Sequence, residues 1–390
     1  MVIHTIGALV PLSRPGWVEA GRHLLAGLEL GVREVNASGG IAGQPLALEV
    51  RDTAADPDRA GAAVEELAGL GVAAVTGEFH SVVARAAAER AAALGVPYLC
   101  SSAVLDALTE RPADRVARLA PAQSHGWRIY GDFLLAAGHR RIAVATQPSV
   151  YWASGTRILR DHLAPHGATV VEFDMSALSP DALCGELVDH RATALLLLVG
   201  HPEPAVPIVT SVRRDARLAG LLIGAPAGQP ELPGWAELLG DDGAAIPFLR
   251  YLPERPTPLG RRVGSALRER LAQVPSFVAF EGYDAILVLA DVLRTAVQRT
   301  TVQRTALVRP GALPTHAADR APTGGAAPIP SDMWAAVAGG WSGVAVEGTR
   351  GMVRFSRAPG IGVWQWVWAP VQVVDRDPAD PTRFRVLHTG

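Results

Sequence analysis

The chain has 390 residues with 36 basic and 38 acidic side chains, a formal net charge of -2, so it offers no basic field for nucleic acid or an anionic membrane surface. Hydrophobic residues make up 49% of it, enough for large buried cores, and its length exceeds one ordinary core, which predicts two lobes. The sequence contains no lysine, which excludes Schiff-base and P-loop lysine chemistry, and its two cysteines, Cys100 and Cys184, read as small buried hydrophobes rather than a disulfide scaffold or metal site.

An apolar strand over residues 3–10 opens the chain and runs into a Pro/Ser/Gly loop carrying Trp17. A helix over 18–35 follows, with Ala20, Leu24, Leu28 and Val35 at helical spacing, and Asn36, Gly39 and Gly40 stop it. Strands over 46–50, 72–76 and 96–100 then alternate with helices over 59–70 and 82–94, the pattern of a parallel sheet covered on both faces. A second series begins near Pro121: strands over 142–146, 169–173, 194–199 and 221–223, and helices over 125–137, 154–166, 180–190 and 204–215. The run LLLLV is apolar throughout, as expected of an inner parallel strand.

The Pro-rich stretch FLRYLPERPTP ends this series, and helices over 258–273 and 278–298 follow it. The near-repeat VQRTTVQRT and the Ala/Pro/Gly/Thr-rich run after it read as a flexible surface insert over about 299–330. The alternation in GVWQWVWAPVQVV predicts a last hairpin. No run reaches the ~20 apolar residues of a membrane helix. No basic n-region precedes the first strand. The expectation is a cytoplasmic protein if Met1 is the natural start, and an extracytoplasmic one if a leader has been trimmed.

The loop PLSRPGW, the run REVNASGGIAGQPLALEVRDTAADPDRA and the later FEGYDA resemble the type I periplasmic binding proteins, in particular the leucine/isoleucine/valine-binding proteins and the amide-binding regulators of the same fold. The resemblance covers nearly the whole chain in order, and GTRGMVRFSRAPG and GVWQW fit it more weakly. It implies an α/β fold of two doubly wound parallel-sheet lobes joined by a three-crossing hinge. The expected lobes are 1–121 with 252–345, and 122–251 with 346–390. The crossings fall at 120–125, near 248–258, and in GMVRFSRAPG. It also implies non-catalytic small-molecule binding by hinge closure, with no cofactor and no metal. The partner would be an ABC permease or, for a cytoplasmic sensor, a regulatory protein.

The residues carry a ligand reading of their own. Ser81 reads as the cap of the helix that follows its strand, and Ser101, Ser102 and Ala103 repeat the arrangement one strand later, so two helix starts would converge on one anion or amide oxygen. The resemblance implies the rest: Trp17 matches the family's aromatic that closes over a ligand, Tyr151 and Trp152 match one that relatives supply from the opposite lobe, and Phe277 another cleft aromatic. By the same resemblance His201 takes the place of a tyrosine, and Val104 that of a further hydroxyl. Amino-acid binders carry a glutamate for the ligand's ammonium where this chain has Ala225, Pro226 and Ala227. Unless Glu203 or Glu231 reaches in, a buried ammonium would lack a partner, at several kcal/mol. A neutral amide, an aromatic or aliphatic acid, or a larger natural-product-like molecule fits better, although Glu78 near the pocket mouth would oppose an anion. Catalysis is not expected: G-x-S-x-G, H-E-x-x-H and G-x-G-x-x-G motifs are absent, and His80 next to Ser81 is badly placed to be its base.

Overall fold

A computed structural model describes residues 4–307, 331–357 and 361–390. The first lobe is built in the order β1 (His4–Val10), α1 (Val18–Ala37), β2 (Leu46–Asp52), α2 (Pro57–Gly69), β3 (Ala74–Gly77), α3 (Ser81–Leu94), β4 (Tyr98–Cys100) and β5 (Val116–Arg118). These five strands are parallel, in the order β5-β4-β3-β1-β2. The second lobe runs α4 (Gln123–Ala136), β6 (Arg141–Thr146), α5 (Val150–Leu163), β7 (Thr169–Asp174), α6 (Pro180–Asp189), β8 (Ala194–Leu198), α7 (Ala205–Arg214), β9 (Leu222–Gly224), α8 (Pro233–Leu239) and β10 (Phe248–Arg250). Its parallel sheet has the order β7-β6-β8-β9, and all five residues of the apolar strand β8 are buried.

The chain then returns to the first lobe as α9 (Pro258–Leu271), α10 (Phe277–Leu307) and α11 (Ser331–Ala338), followed by β11 (Ala345–Gly348), β12 (Gly351–Ser356) and β13 (Trp364–Trp366). The expected insert over about 299–330 begins within α10, and from residue 308 to 330 it lies outside the described residues.

Two boundaries differ from the sequence expectation. β13 pairs in parallel with β5 and antiparallel with β12, and β12 with β11, so these three strands belong to the first lobe's sheet, although the sequence reading assigned 346 onward to the second lobe. The described part of GMVRFSRAPG is therefore not a crossing: Gly351–Ser356 is β12, and the chain crosses after β13. The closing hairpin is β14 (Gln372–Asp377) with β15 (Asp380–Thr389), which β10 joins, and the Trp-rich segment stands apart from it. A period of two identifies a strand but carries no information about its partner, which is why the pattern alone misplaced this segment.

Helices α1 and α10 are packed almost backbone to backbone. A Cβ at Gly27 would come within 1.9 Å of the Ala279 carbonyl oxygen, and one at Gly282 within 2.5 Å of the Leu24 carbonyl oxygen. This contact sets where the N-terminal end of α10, with Phe277 and Glu281, meets the parallel sheet. Gly27→Ala should destabilise the protein by about 1–3 kcal/mol or more through overpacking, read by chemical denaturation. Gly61→Ala on α2 is the control: its Cβ would meet open space, and stability should hold or rise.

Candidate functional site

Parallel strands deliver their loops to one edge, and at that edge the two lobes and the hinge enclose a cavity of 260 Å³. The first wall is the start of α3. Ser81 is the first residue of that helix rather than its cap; His80 occupies the cap position and makes no side-chain cap bond. The first intrahelical bond runs from the Ala84 amide to the His80 carbonyl, so the amides of Ser81, Val82 and Val83 have no partner within the helix. The Ser81 oxygen accepts the amides of Val104 and Leu105, each at 3.3 Å, which leaves its hydroxyl hydrogen for the cavity.

The loop from 104 to 105 is held from its other side as well. The guanidinium of Arg118, itself buried, donates to the carbonyls of Val104 at 3.0 Å and Leu105 at 2.9 Å and to Gln365 Oε1 at 2.8 Å. Among the described residues Arg118 forms no ion pair, and its Nη2 has no hydrogen-bond partner. Burial pulls its pKa down to about 10, which keeps it cationic at neutral pH.

His80 positions the aromatic lid. Its Nε2 accepts the Trp17 amide at 3.3 Å and its Nδ1 lies 3.2 Å from Glu78 Oε1, so the ring proton belongs on Nδ1. Trp17 then rests 5.6 Å from the Phe79 ring. With both ring nitrogens engaged and the Ser81 oxygen taken by the 104–105 amides, Ser81 and His80 form no nucleophile–base pair. Glu78 is fully buried and accepts from the Thr53 hydroxyl and the amides of Phe79 (2.6 Å) and His80 (2.8 Å), so its charge is spent inside the first lobe.

Of the three residues expected from the next strand end, Ser102 lines the cavity. Ser101 is enclosed, with its oxygen 3.2 Å from that of Ser102, and Ala103 uses its carbonyl to accept the Cys100 thiol. No helix start follows them: the chain continues to a single 3-10 turn at Asp106–Leu108. The second lobe contributes the first turn of α5, where Ser149 caps the helix through the Tyr151 amide and the rings of Tyr151 and Trp152 meet edge-on at 4.9 Å. The hinge adds Tyr251 and Phe277, 5.1 Å apart. Burial pushes the Tyr151 and Tyr251 phenols up, so both remain neutral.

The cavity thus gathers Trp17, Ser81, Ser102, Tyr151, Trp152 and Phe277 from the sequence reading. His201 is not among its lining residues; it stacks on Trp235 at 5.4 Å, and burial lowers its pKa. The sequence reading missed Phe79, Val82, Val83, Ser149 and Tyr251 as lining residues, while Ala227, which it set at the place of the absent glutamate, is among them. A serine directly before an aromatic-rich helix start was the available signal for Ser149, whereas Tyr251 sat in a Pro-rich run that gave no sign of facing a ligand.

Neither candidate acid reaches the cavity. Glu203 is exposed. Glu231 is buried and bound to Arg250 Nε at 2.9 Å and to the Phe277 amide at 3.0 Å.

A profile of a family described as periplasmic binding protein matches residues 4–317. A Leu/Ile/Val-binding protein homolog 7 of Brucella abortus (strain 2308) is 38% identical over 117 residues, 30% of this chain, and the chain matches only 29% of that relative's length. Among solved structures, an ABC transporter substrate-binding protein of Desulfitobacterium hafniense in complex with Leu superposes with a TM-score of 0.74 at 19% identity, over 99% of this chain and 100% of the other. A solute-binding protein of an R. palustris ABC transporter in complex with 4-hydroxybenzoate superposes with a TM-score of 0.76 at 16% identity, over 100% and 97%. At these identities the two structures establish the fold.

The bonds of Glu231 assign it to holding the hinge. Glu231→Ala should lower stability by about 3–5 kcal/mol, because it strands a largely buried Arg250, and unfolding curves should show this with no ligand present.

Proposed function

The chain belongs to the periplasmic binding protein family, and we propose that it is a non-catalytic receptor for a small organic acid or amide with an apolar, preferably aromatic, body and no ammonium group. The observation that carries this reading is the lack of an unspent carboxylate in the described cavity wall. Glu231 is consumed by Arg250 and the Phe277 amide, Glu78 by four donors, and Ala227 stands where an acid would be needed. An ammonium in that cavity would be desolvated without a counter-charge.

The rest of the wall suits the opposite kind of ligand. The unpartnered amides at the start of α3, the Ser81 hydroxyl and Ser102 supply donors for a carboxylate or carbonyl oxygen, and the positive end of the helix favours negative charge there. The uncompensated Arg118 behind the 104–105 loop acts in the same direction. The rings of Trp17, Phe79, Tyr151, Trp152 and Phe277 then surround the apolar body, an arrangement typical of small-molecule sites.

Function follows from geometry rather than bond chemistry. The oxygen-binding groups belong to the first lobe and the aromatic pair Tyr151 and Trp152 to the second. A ligand that touches both stabilises the closed arrangement by its differential affinity for it. The closed surface is what a partner would recognise, and the family and the relatives' names favour an ABC permease as that partner. Among the described residues no helix is long and apolar enough to cross a membrane.

Thermal-shift and calorimetric screening of the purified chain against 4-hydroxybenzoate, benzoate, benzamide, leucine and isoleucine tests this. The aromatic acids or the amide should raise the melting temperature by mass action, and leucine and isoleucine should not. Tight binding of leucine would overturn the reading, since it would require a carboxylate the cavity lacks. Ser81→Ala should weaken binding of whichever acid or amide is found by about 1–3 kcal/mol, the cost of a lost buried partner.

A further inference from the structure

Behind the cavity lies a buried charge cluster that the binding reading does not use. One turn along α10 from Phe277, Glu281 has no solvent exposure, and Arg350 and Asp284 are equally enclosed. Asp284 takes three donors: the Thr349 amide at 2.7 Å, the Thr349 hydroxyl at 2.8 Å and Arg350 Nε at 2.9 Å. Glu281 receives one contact from Arg350 Nη1 at 3.2 Å, and its Oε2 has no hydrogen-bond partner. Two carboxylates therefore share one guanidinium in a dry site. If both were ionised the cluster would carry a net negative charge, and the carboxylate with fewer donors is the one to take up a proton. Ser102, which lines the ligand cavity, is near enough to Glu281 for its hydroxyl to favour the ionised carboxylate, while in this arrangement its oxygen lies 3.2 Å from that of Ser101.

We propose that Glu281 is a positioning residue which couples anion binding to uptake of one proton from solvent. Ionised, Glu281 draws the Ser102 hydroxyl hydrogen to itself and presents the cavity with an oxygen that repels a carboxylate. Protonated, Glu281 donates to the Ser102 oxygen, and Ser102 turns its hydrogen to the ligand. The incoming anion adds negative charge beside the cluster and so favours the protonated form. This rests on the reading of the ligand as an acid that meets Ser102.

The groups facing Glu281 leave it free to play this part near neutrality. Arg350 approaches from the start of β12, Asp284 from the same helix, Glu231 from the turn before α8, Cys100 from β4 and Tyr251 from the second crossing. Burial pushes the Cys100 thiol up to about 11 and the Tyr251 phenol well up, so both stay neutral; burial also raises Glu231, opposed by Arg250 and the Phe277 amide. Burial likewise raises Glu281 to about 7 against the opposing pull of Arg350 and Ser102. The sign follows: affinity is greatest below that pH and falls as pH rises through it.

Calorimetry of benzoate binding between roughly pH 6 and 8.5, where the ligand stays ionised, decides the matter when repeated in phosphate and in Tris, whose ionisation heats differ. The wild type should take up close to one proton per benzoate at the alkaline end and little at the acid end, with Kd rising toward about tenfold per pH unit above neutrality. Glu281→Gln, whose amide donates permanently to Ser102, should bind with no proton uptake and a flat pH profile. Ser102→Ala should bind more weakly and also without uptake. If the Gln variant does not fold, the wild-type buffer comparison and Ser102→Ala give the answer. Benzoate binding in the wild type with no proton uptake, or uptake that persists in either variant, overturns the coupling and leaves the acid receptor standing. No binding of benzoate or 4-hydroxybenzoate at any pH overturns the coupling, and the receptor reading falls with it if benzamide also fails to bind.

Discussion

The cleft depends on the two-sided grip on residues 104 and 105. Their amides are taken by the Ser81 oxygen and their carbonyls by the buried guanidinium of Arg118, and the Val104 carbonyl also accepts the Gln123 amide at the start of α4. Gln365 on β13 orients Arg118 and donates to the Ala120 carbonyl, at the first crossing into the second lobe. One short loop thus joins α3, β5, β13 and the root of the second lobe. A loop without helix or sheet bonds of its own has to satisfy its backbone groups elsewhere, and here it does so with the side chains of Ser81, which lines the cavity, and Arg118 behind it.

That arrangement explains the polarity of the cavity. Glu78 and Glu231 near it are buried and already bonded within the protein, while donors are left over: the α3 amides, the Ser81 hydroxyl and, deeper, Arg118. In a low-dielectric wall an unmatched donor set selects an acceptor, and it penalises a cation far more than a neutral ligand would be penalised. The aromatic rings add area and shape without charge. Trp17 is held over them by His80, whose ring bridges the lid loop and Glu78, so the lid and the base of α3 are a single hydrogen-bonded unit.

The alternation of strands and helices was legible in the sequence because burial on both faces of a parallel sheet leaves a strong pattern: LLLLV, the amphipathic helix behind Trp17 and the serines after successive strands could all be read directly. Short strands were harder to read. Val116–Arg118 spans three residues and carries a buried arginine, so nothing marks it as a strand until β13 lies beside it. Trp364–Trp366 has the right period, but it pairs with a strand some 250 residues earlier in the chain, and hydrophobic periodicity is blind to that choice. The serine motif behaved similarly. Ser81 was recognisable as belonging to a helix start, yet whether it caps that helix or bonds a neighbouring loop depends on where the loop from β4 travels.

The sequence by itself determined the two-lobed α/β architecture, which depends on local periodicity, and, through its resemblance to the binding-protein family, the aromatic and hydroxyl character of the cleft and the missing acid between Ala225 and Ala227. Only the tertiary structure decided which acids are spent, that Ser102 rather than Ser101 or Ala103 lines the cavity, that His201 stacks on Trp235, and that Glu281 shares Arg350 with Asp284. Each of these is a question of which polar group meets which partner across long sequence separations. Charge compensation in a buried site is settled by that pairing, and residue type alone does not specify it.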